Sequence, residues 1–157
     1  MIAFTWNILL ALVWMALSGR FTADNLVIGF VLGYGVLALA LRDRPEVAAY
    51  VAKVPRVIGL FVYFNWELIR SNLKVAYDVL TPTHHMRPGV IGVPLEARTD
   101  TEITVLANLV SLTPGSLSLD VADDRKTLYI HVMYLTDEDA VRSGIKEMER
   151  RVLGVLR

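Results

Sequence analysis

The sequence predicts a membrane protein in two parts. An N-terminal α-helical transmembrane hairpin and an amphipathic helix come first, followed by a small α+β domain of order β-α-β-β-α on the cytoplasmic side. Two observations predict this. Of 157 residues, 16 are basic and 16 acidic, yet residues 1–41 carry only Arg20 and Asp24 as charges. The rest of the chain is about one-quarter charged, the usual share for a protein in water. The second observation is a change of period: long apolar runs give way after Pro88 to short alternating runs bounded by Gly, Pro and Asp. The predicted boundaries are 1–42 for the hairpin, 43–87 for a cytoplasmic loop, membrane helix and linker, and 88–157 for the cytoplasmic domain.

Met1–Gly19 (MIAFTWNILLALVWMALSG) and Asn25–Leu41 (NLVIGFVLGYGVLALAL) are free of charge. Each is near the lower limit of roughly 17 to 25 residues for crossing a hydrocarbon core. Arg20–Asp24 between them is short enough to make the pair antiparallel. A signal peptide fits poorly, because the first run lacks a basic n-region and a second apolar run follows at once. A buried soluble hairpin is the bland alternative. Arg42, Arg44, Lys53 and Arg56 outweigh Arg20, so the positive-inside rule puts the N-terminus and the second loop in the cytoplasm. Trp6, Trp14 and Tyr34 are interfacial anchors or helix-packing residues. Gly29 and Gly33 have the GxxxG spacing that admits a second helix closely, extended by Gly35. Asn7 is the most polar candidate for burial within the hairpin.

Residues 57–80 begin apolar all round (VIGLFVYF) and then acquire a polar stripe: Glu67, Arg70, Ser71, Lys74 and Asp78 recur at three- and four-residue steps. Hiding Arg70 and Lys74 in lipid costs roughly 2.5–3.5 kcal/mol each near the midplane. An amphipathic helix at the interface, or packed obliquely on partner helices, avoids that cost. A third span with its stripe facing other subunits is the alternative, and Glu67 would then be the plausible intramembrane acid.

Thr81–Pro88, with its prolines and the pair His84 and His85, reads as a linker. Val90–Ala97 suits a strand, with Pro94 confining it to an edge or bulge. Asp100 is placed to cap a helix through Leu112, and Pro114-Gly115 stops it. Ser116–Val121 alternates as a strand, Asp123–Lys126 is a polar turn, and Thr127–Leu135 is the strongest strand, so the two form a hairpin. Thr136 is placed to cap a final helix, acidic at its start and basic towards its end.

Searching for chemistry yields no catalytic residues, no cofactor site and no metal site. Cysteine is absent, and GxxxxGK[ST], GxGxxG after a strand, HExxH and GxSxG are all missing. His84 and His85 lack the i, i+4 spacing of two ligands on one helix face. His131 packs on its sheet or, less simply, senses pH. The balanced charge removes nucleic acid as a partner on electrostatic grounds. Neither hairpin helix holds an ionisable residue away from its ends, whereas ion and proton pathways normally show one. What remains is a membrane-anchored subunit or adaptor rather than an enzyme, pump or channel.

Ile103–Val121 (ITVLANLVSLTPGSLSLDV), with its LxxLxxLTPGxLSxD pattern, and Leu128–Met133 (LYIHVM) resemble the MrpE/MnhE family, the E-type subunits of Mrp-type multisubunit Na+/H+ antiporters. The resemblance extends to the hairpin and to Pro88-Gly89-Val90. It implies a multi-pass protein of the cell membrane, partnered by the bilayer and by other subunits of an antiporter complex that serves pH homeostasis. In that family, transport is assigned to large subunits, and the MrpE protein is an accessory with a cytoplasmic C-terminal domain. The resemblance also argues against three spans, which would put that domain outside. The carried-over residues are Thr113, Pro114, Gly115 and Ser118. Their turn either simply ends a helix or docks on a neighbouring subunit or the membrane surface. The alternative function is a membrane-anchored binding or regulatory module sensing pH, a ligand or a soluble partner, for which His84, His85 and His131 are the support.

Overall fold

The computed structural model describes residues 2–41, 43–82 and 86–157, which form two compact units, 1–55 and 56–157. Arg42, His84 and His85 lie outside the described residues.

In the first unit, α1 (Ile2–Ser18) and α2 (Ala23–Ala40) are joined by a turn in which Gly19 has φ +64°. Thr22 caps α2 by accepting from the Asn25 amide at 3.4 Å. The buried positions of α1 are Ala3, Asn7, Ala11 and Met15, and those of α2 are Gly29, Gly33 and Leu37. Both sets recur every four residues, so small side chains on one helix meet glycines on the other and the backbones approach closely. A Cβ at Gly29 would lie 2.9 Å from the Ala11 carbonyl oxygen, and one at Gly33 would meet Asn7 and Leu10. The helix admitted by this GxxxG spacing is α1 of the same chain. Gly35 faces open space, so it does not extend the contact as its spacing suggested.

The third helix, α3, runs from Pro45 to Leu80 in one 36-residue piece. The sequence pattern suggests a loop through Arg56 and a helix starting at Val57, and the structure corrects both. Proline suits the first turn of a helix. Val47, Tyr50 and Val51 then present an apolar stripe that packs with Ala3, Leu37 and Leu10. The basic residues Lys53 and Arg56 therefore lie on a helix. Pro55 sits inside it, and a proline there cannot donate to the carbonyl four residues back. That carbonyl belongs to Val51, and it accepts instead from the Tyr34 hydroxyl at 3.0 Å. Tyr34 is thus a packing residue of this unit. Phe4 and Tyr34 each meet the Tyr50 ring at a steep angle, at centroid separations of 6.2 and 6.1 Å. By length and composition α2 and α3 could each cross a membrane, while α1 is a shorter apolar helix of 17 residues.

In the second unit, β1 (Gly89–Pro94), β2 (Ser116–Val121) and β3 (Thr127–Val132) form an antiparallel sheet of order β1-β3-β2. With α4 (Asp100–Leu112) and α5 (Glu138–Leu156), the chain order is β1, α4, β2, β3, α5. The most apolar strand is central and buries Leu128, Ile130 and Val132. Pro94 ends an edge strand, where its missing donor costs nothing, and the other edge carries an irregularity between Ser118 and Asp120. One face of the sheet, with Ile91 and Val93, packs on Leu106 and Val110 of α4 and Ile145 and Met148 of α5. Tyr63 and Phe64 of α3 join this core. The other face leaves Val90, Leu117, Leu119 and Tyr129 exposed.

Local boundaries differ from the sequence expectation where side chains compete for backbone donors. Thr99, not Asp100, caps α4, in a reciprocal capping box with Glu102. Asp137, not Thr136, caps α5 by accepting from the Ala140 amide at 3.1 Å. The first strand ends at Pro94 rather than Ala97, because the Glu96 and Ala97 amides donate to the buried Glu149 carboxylate at 2.6 and 2.9 Å. Beyond Val132 the chain leaves the ladder, although Arg87 and Tyr134 form an isolated parallel bridge.

Candidate functional site

The 113–116 turn is shaped by its own hydroxyls. Thr113 ends α4, and its Oγ1 donates to the Leu109 carbonyl at 2.9 Å. Ser116 Oγ donates to the carbonyls of Val110 (2.8 Å) and Thr113 (3.0 Å). Carbonyls freed at the helix end are thereby satisfied. Gly115 has φ +89°, a conformation L side chains rarely adopt, and its open side lies against the Tyr134 ring.

This turn forms one wall of a cleft of about 280 Å³. The polar stripe of α3 forms another wall through Glu67, Arg70, Ser71 and Lys74, and α5 closes it with Ala140, Val141 and Gly144. Two signals far apart in the sequence, the stripe and the Thr-Pro-Gly turn, therefore meet at one place. Tyr134 joins them: the Lys74 ammonium lies 4.2 Å from its ring centroid. Burial, reinforced by the Asp78 carboxylate, raises the Tyr134 phenol above its ordinary range, so it stays protonated at neutral pH. Glu67 pairs with Arg70 at 3.6 Å, and the Arg70 side chain remains 73% exposed.

Thr113, Pro114, Gly115 and Glu67 all line the cleft. Ser118 does not: its hydroxyl donates to the Ala107 carbonyl at 3.0 Å and its amide to Ser111 Oγ at 3.1 Å, tying β2 to α4. His131 is half-buried and pairs in register with Val90 and Leu117 in the centre of the sheet. Asn7 is fully buried and donates to the Tyr50 hydroxyl at 2.8 Å. No cluster of three or more metal-binding side chains occurs among the described residues.

Two carboxylate networks have no counterpart in the sequence patterns. Glu102 accepts from Arg157 Nε at 2.9 Å and from the Arg98 amide at 2.8 Å. These bonds, the Arg157 one foremost, hold its carboxyl down to about 2. Glu149 adds a bond from Lys146 Nζ at 2.9 Å to the two amides it accepts. Glu102 and Arg157 are 55 residues apart, a distance at which spacing carries no signal. Both networks support the domain rather than forming a reactive site.

Residues 7–155 match the family described as "Na+/H+ ion antiporter subunit". The chain belongs to this antiporter family, the MnhE family. It is 37% identical over 147 residues to the E1 subunit of the Na+/H+ antiporter of Staphylococcus haemolyticus, covering 94% of this chain and 92% of that one. The corresponding E-type antiporter subunit of Alkalihalophilus pseudofirmus is 35% identical over 150 residues, covering 95% and 94%. Among solved structures, one chain of the Mrp complex from Dietzia sp. aligns with a TM-score of 0.51 at 27% identity, covering 65% of this chain and 96% of that chain. A chain of an archaeal membrane-bound sulfane sulfur reductase shares the fold, with a TM-score of 0.55 at 24% identity and coverage of 96% and 98%. The MnhE assignment therefore spans the hairpin, α3 and the α+β domain alike.

Proposed function

We propose that this chain is an accessory subunit of an Mrp-type multisubunit Na+/H+ antiporter in the cell membrane. It supports assembly or activity of the complex and is not itself the ion pathway, and its partners are the other subunits and the bilayer. The observation that carries this reading is the interior of the hairpin. Among the described residues, the polar side chain buried there is Asn7, a neutral amide bonded to Tyr50. An amide neither carries a proton nor exchanges its charge, whereas a proton path through a membrane uses ionisable side chains. Family membership over residues 7–155 supplies the transport context.

The basic residues Arg44, Lys53 and Arg56 favour a cytoplasmic location for the start of α3, and with it the N-terminus and the α+β domain. In this reading residues 57–80 lie at the cytoplasmic membrane interface. The cleft at the 113–116 turn then faces whatever docks on the protein at that level. Reconstitution tests the reading. The full chain alone in proteoliposomes should give no Na+/H+ exchange above empty vesicles and should co-purify with large multi-span subunits from native membranes. Robust exchange by the lone chain would overturn it.

A further inference from the structure

We propose that the cleft between α3, the 113–116 turn and α5 holds the phosphodiester of an anionic phospholipid. Arg70 and Lys74 are its cations, and the acyl chains lie along the apolar face of α3. The proposal rests on reading α3 as lying against the bilayer.

Three observations converge on it. The first is where Arg70 stands on the helix. Trp66, Ile69, Leu73 and Leu80 form one side of α3 and are 63%, 55%, 66% and 84% exposed, an apolar face that water does not stabilise. Arg70 follows Trp66 by four residues and precedes Leu73 by three, so it borders that face; Lys74, four residues on, reaches the cleft. A lipid whose chains cover the apolar face therefore has its headgroup beside both cations. The second is donor capacity. Glu67 approaches one guanidinium nitrogen of Arg70 at 3.6 Å, a long contact on a side chain 73% exposed. Most of the five N–H donors remain for phosphate oxygens. Lys74 is held by its cation–π contact with Tyr134, which positions the ammonium without neutralising it. The third is charge and shape. The charged side chains that line the cleft are Glu67, Arg70 and Lys74, two cations to one anion, while Asp78 is buried beside Tyr134. Ala140, Val141 and Gly144 give the facing wall an apolar surface suited to a glycerol backbone.

The test uses the full chain carrying Trp6→Phe and Trp14→Phe, which leaves Trp66 as the sole tryptophan. It is reconstituted in vesicles containing brominated phosphatidylcholine or brominated phosphatidylglycerol at low mole fraction. Both lipids should quench Trp66. The anionic one should quench at about thirtyfold lower mole fraction, on the basis of about fivefold per basic residue near an anionic headgroup. Arg70→Gln with Lys74→Gln should abolish that preference. Gly144→Phe should abolish it by filling the cleft with no change of charge; a Cβ at Gly144 meets nothing within 4 Å, and unchanged amide exchange in the sheet checks that the fold is kept. Equal quenching by the two lipids, or a preference unchanged in both variants, would overturn the headgroup site while leaving α3 at the bilayer. Absence of quenching by either lipid would overturn the placement of α3 itself. Competition by millimolar inorganic phosphate equal to that of the lipid would make this a free-anion site. Loss of a neighbouring subunit from the complex in the variants, with lipid preference intact, would assign the cleft to an acidic protein segment.

Discussion

Among the described residues of the N-terminal unit the buried polar side chain is Asn7, a neutral amide that donates to Tyr50. In the C-terminal unit Glu102 and Glu149 are buried as carboxylates, each given backbone amides and a cation: Arg157 for one, Lys146 for the other. On the proposed placement in the bilayer, the hairpin cannot offer an ionised group the water-facing cation that balances it, which accounts for its neutral polar burial. A domain in water can bring Arg157 and Lys146 in from the surface with their heads still partly wet. Packing follows the same division. The hairpin closes by backbone contact at Gly29 and Gly33, as suits helices that pack where lipid supplies no hydrophobic force, the placement proposed for it, whereas the domain closes on a core of large aliphatic side chains.

The comparison breaks first at Glu149. Glu149→Ala leaves the Glu96 and Ala97 amides without their acceptor and Lys146 without its partner. It should destabilise the C-terminal unit by about 3 kcal/mol. Hydrogen exchange on the full chain in neutral detergent reads this locally: amides of β1 and β3 should exchange roughly 150-fold faster, those of α1 and α2 unchanged. Acceleration in both units alike would mean that they do not unfold separately, and the contrast would lose its meaning.

A smaller effect is expected in the hairpin. Gly29→Ala drives a methyl against the Ala11 backbone and should cost about 1–3 kcal/mol. Gly35→Ala, in open space, should be neutral or slightly stabilising through helix propensity. Detergent-titrated unfolding of the two variants gives the comparison. Equal effects would show that the close approach of α1 and α2 contributes nothing in lipid-like surroundings.

How much of this was legible depended on whether the signal was local. The apolar runs, the alternation of Leu128, Ile130 and Val132, and the stop at Pro114-Gly115 each express a preference of a few adjacent residues, and the corresponding elements lie where the sequence puts them. The start of α3 was not legible, because Val47, Tyr50 and Val51 form a stripe only once Ala3 and Leu37 are there to receive it. Four basic residues in the same stretch look like a loop. Thr99 and Asp100 are both capping residue types; the decision rests on Glu102 lying three residues after Thr99, a signal that the sequence does carry. The same holds for Ala3, Asn7 and Ala11, whose four-residue spacing matches Gly29 and Gly33. The cleft was half legible. Its turn and its polar stripe each stand out in the sequence, but their meeting depends on α3 packing Tyr63 and Phe64 into the domain core, and no local spacing predicts that.

The smallest expected effect probes how the hairpin unit satisfies its backbone. Pro55 removes the donor that the Val51 carbonyl would have had, and Tyr34 supplies one from α2. If Tyr34 is there because of Pro55, Tyr34→Phe should cost about 0.6–1 kcal/mol in the native chain, where the carbonyl is left unpaired. In the Pro55→Ala background the helix donates its own N–H to Val51, and the same substitution should cost close to nothing. The double-mutant cycle, measured by unfolding in neutral detergent, isolates the coupling. An equal cost in both backgrounds would mean that Tyr34 acts by packing on Tyr50 alone. A coupling of about 3 kcal/mol, the size expected for a buried charged group that loses its partners, would put a neutral bond in this unit on a par with the Glu149 network, and the division between the two units would fail at the point where it is most specific.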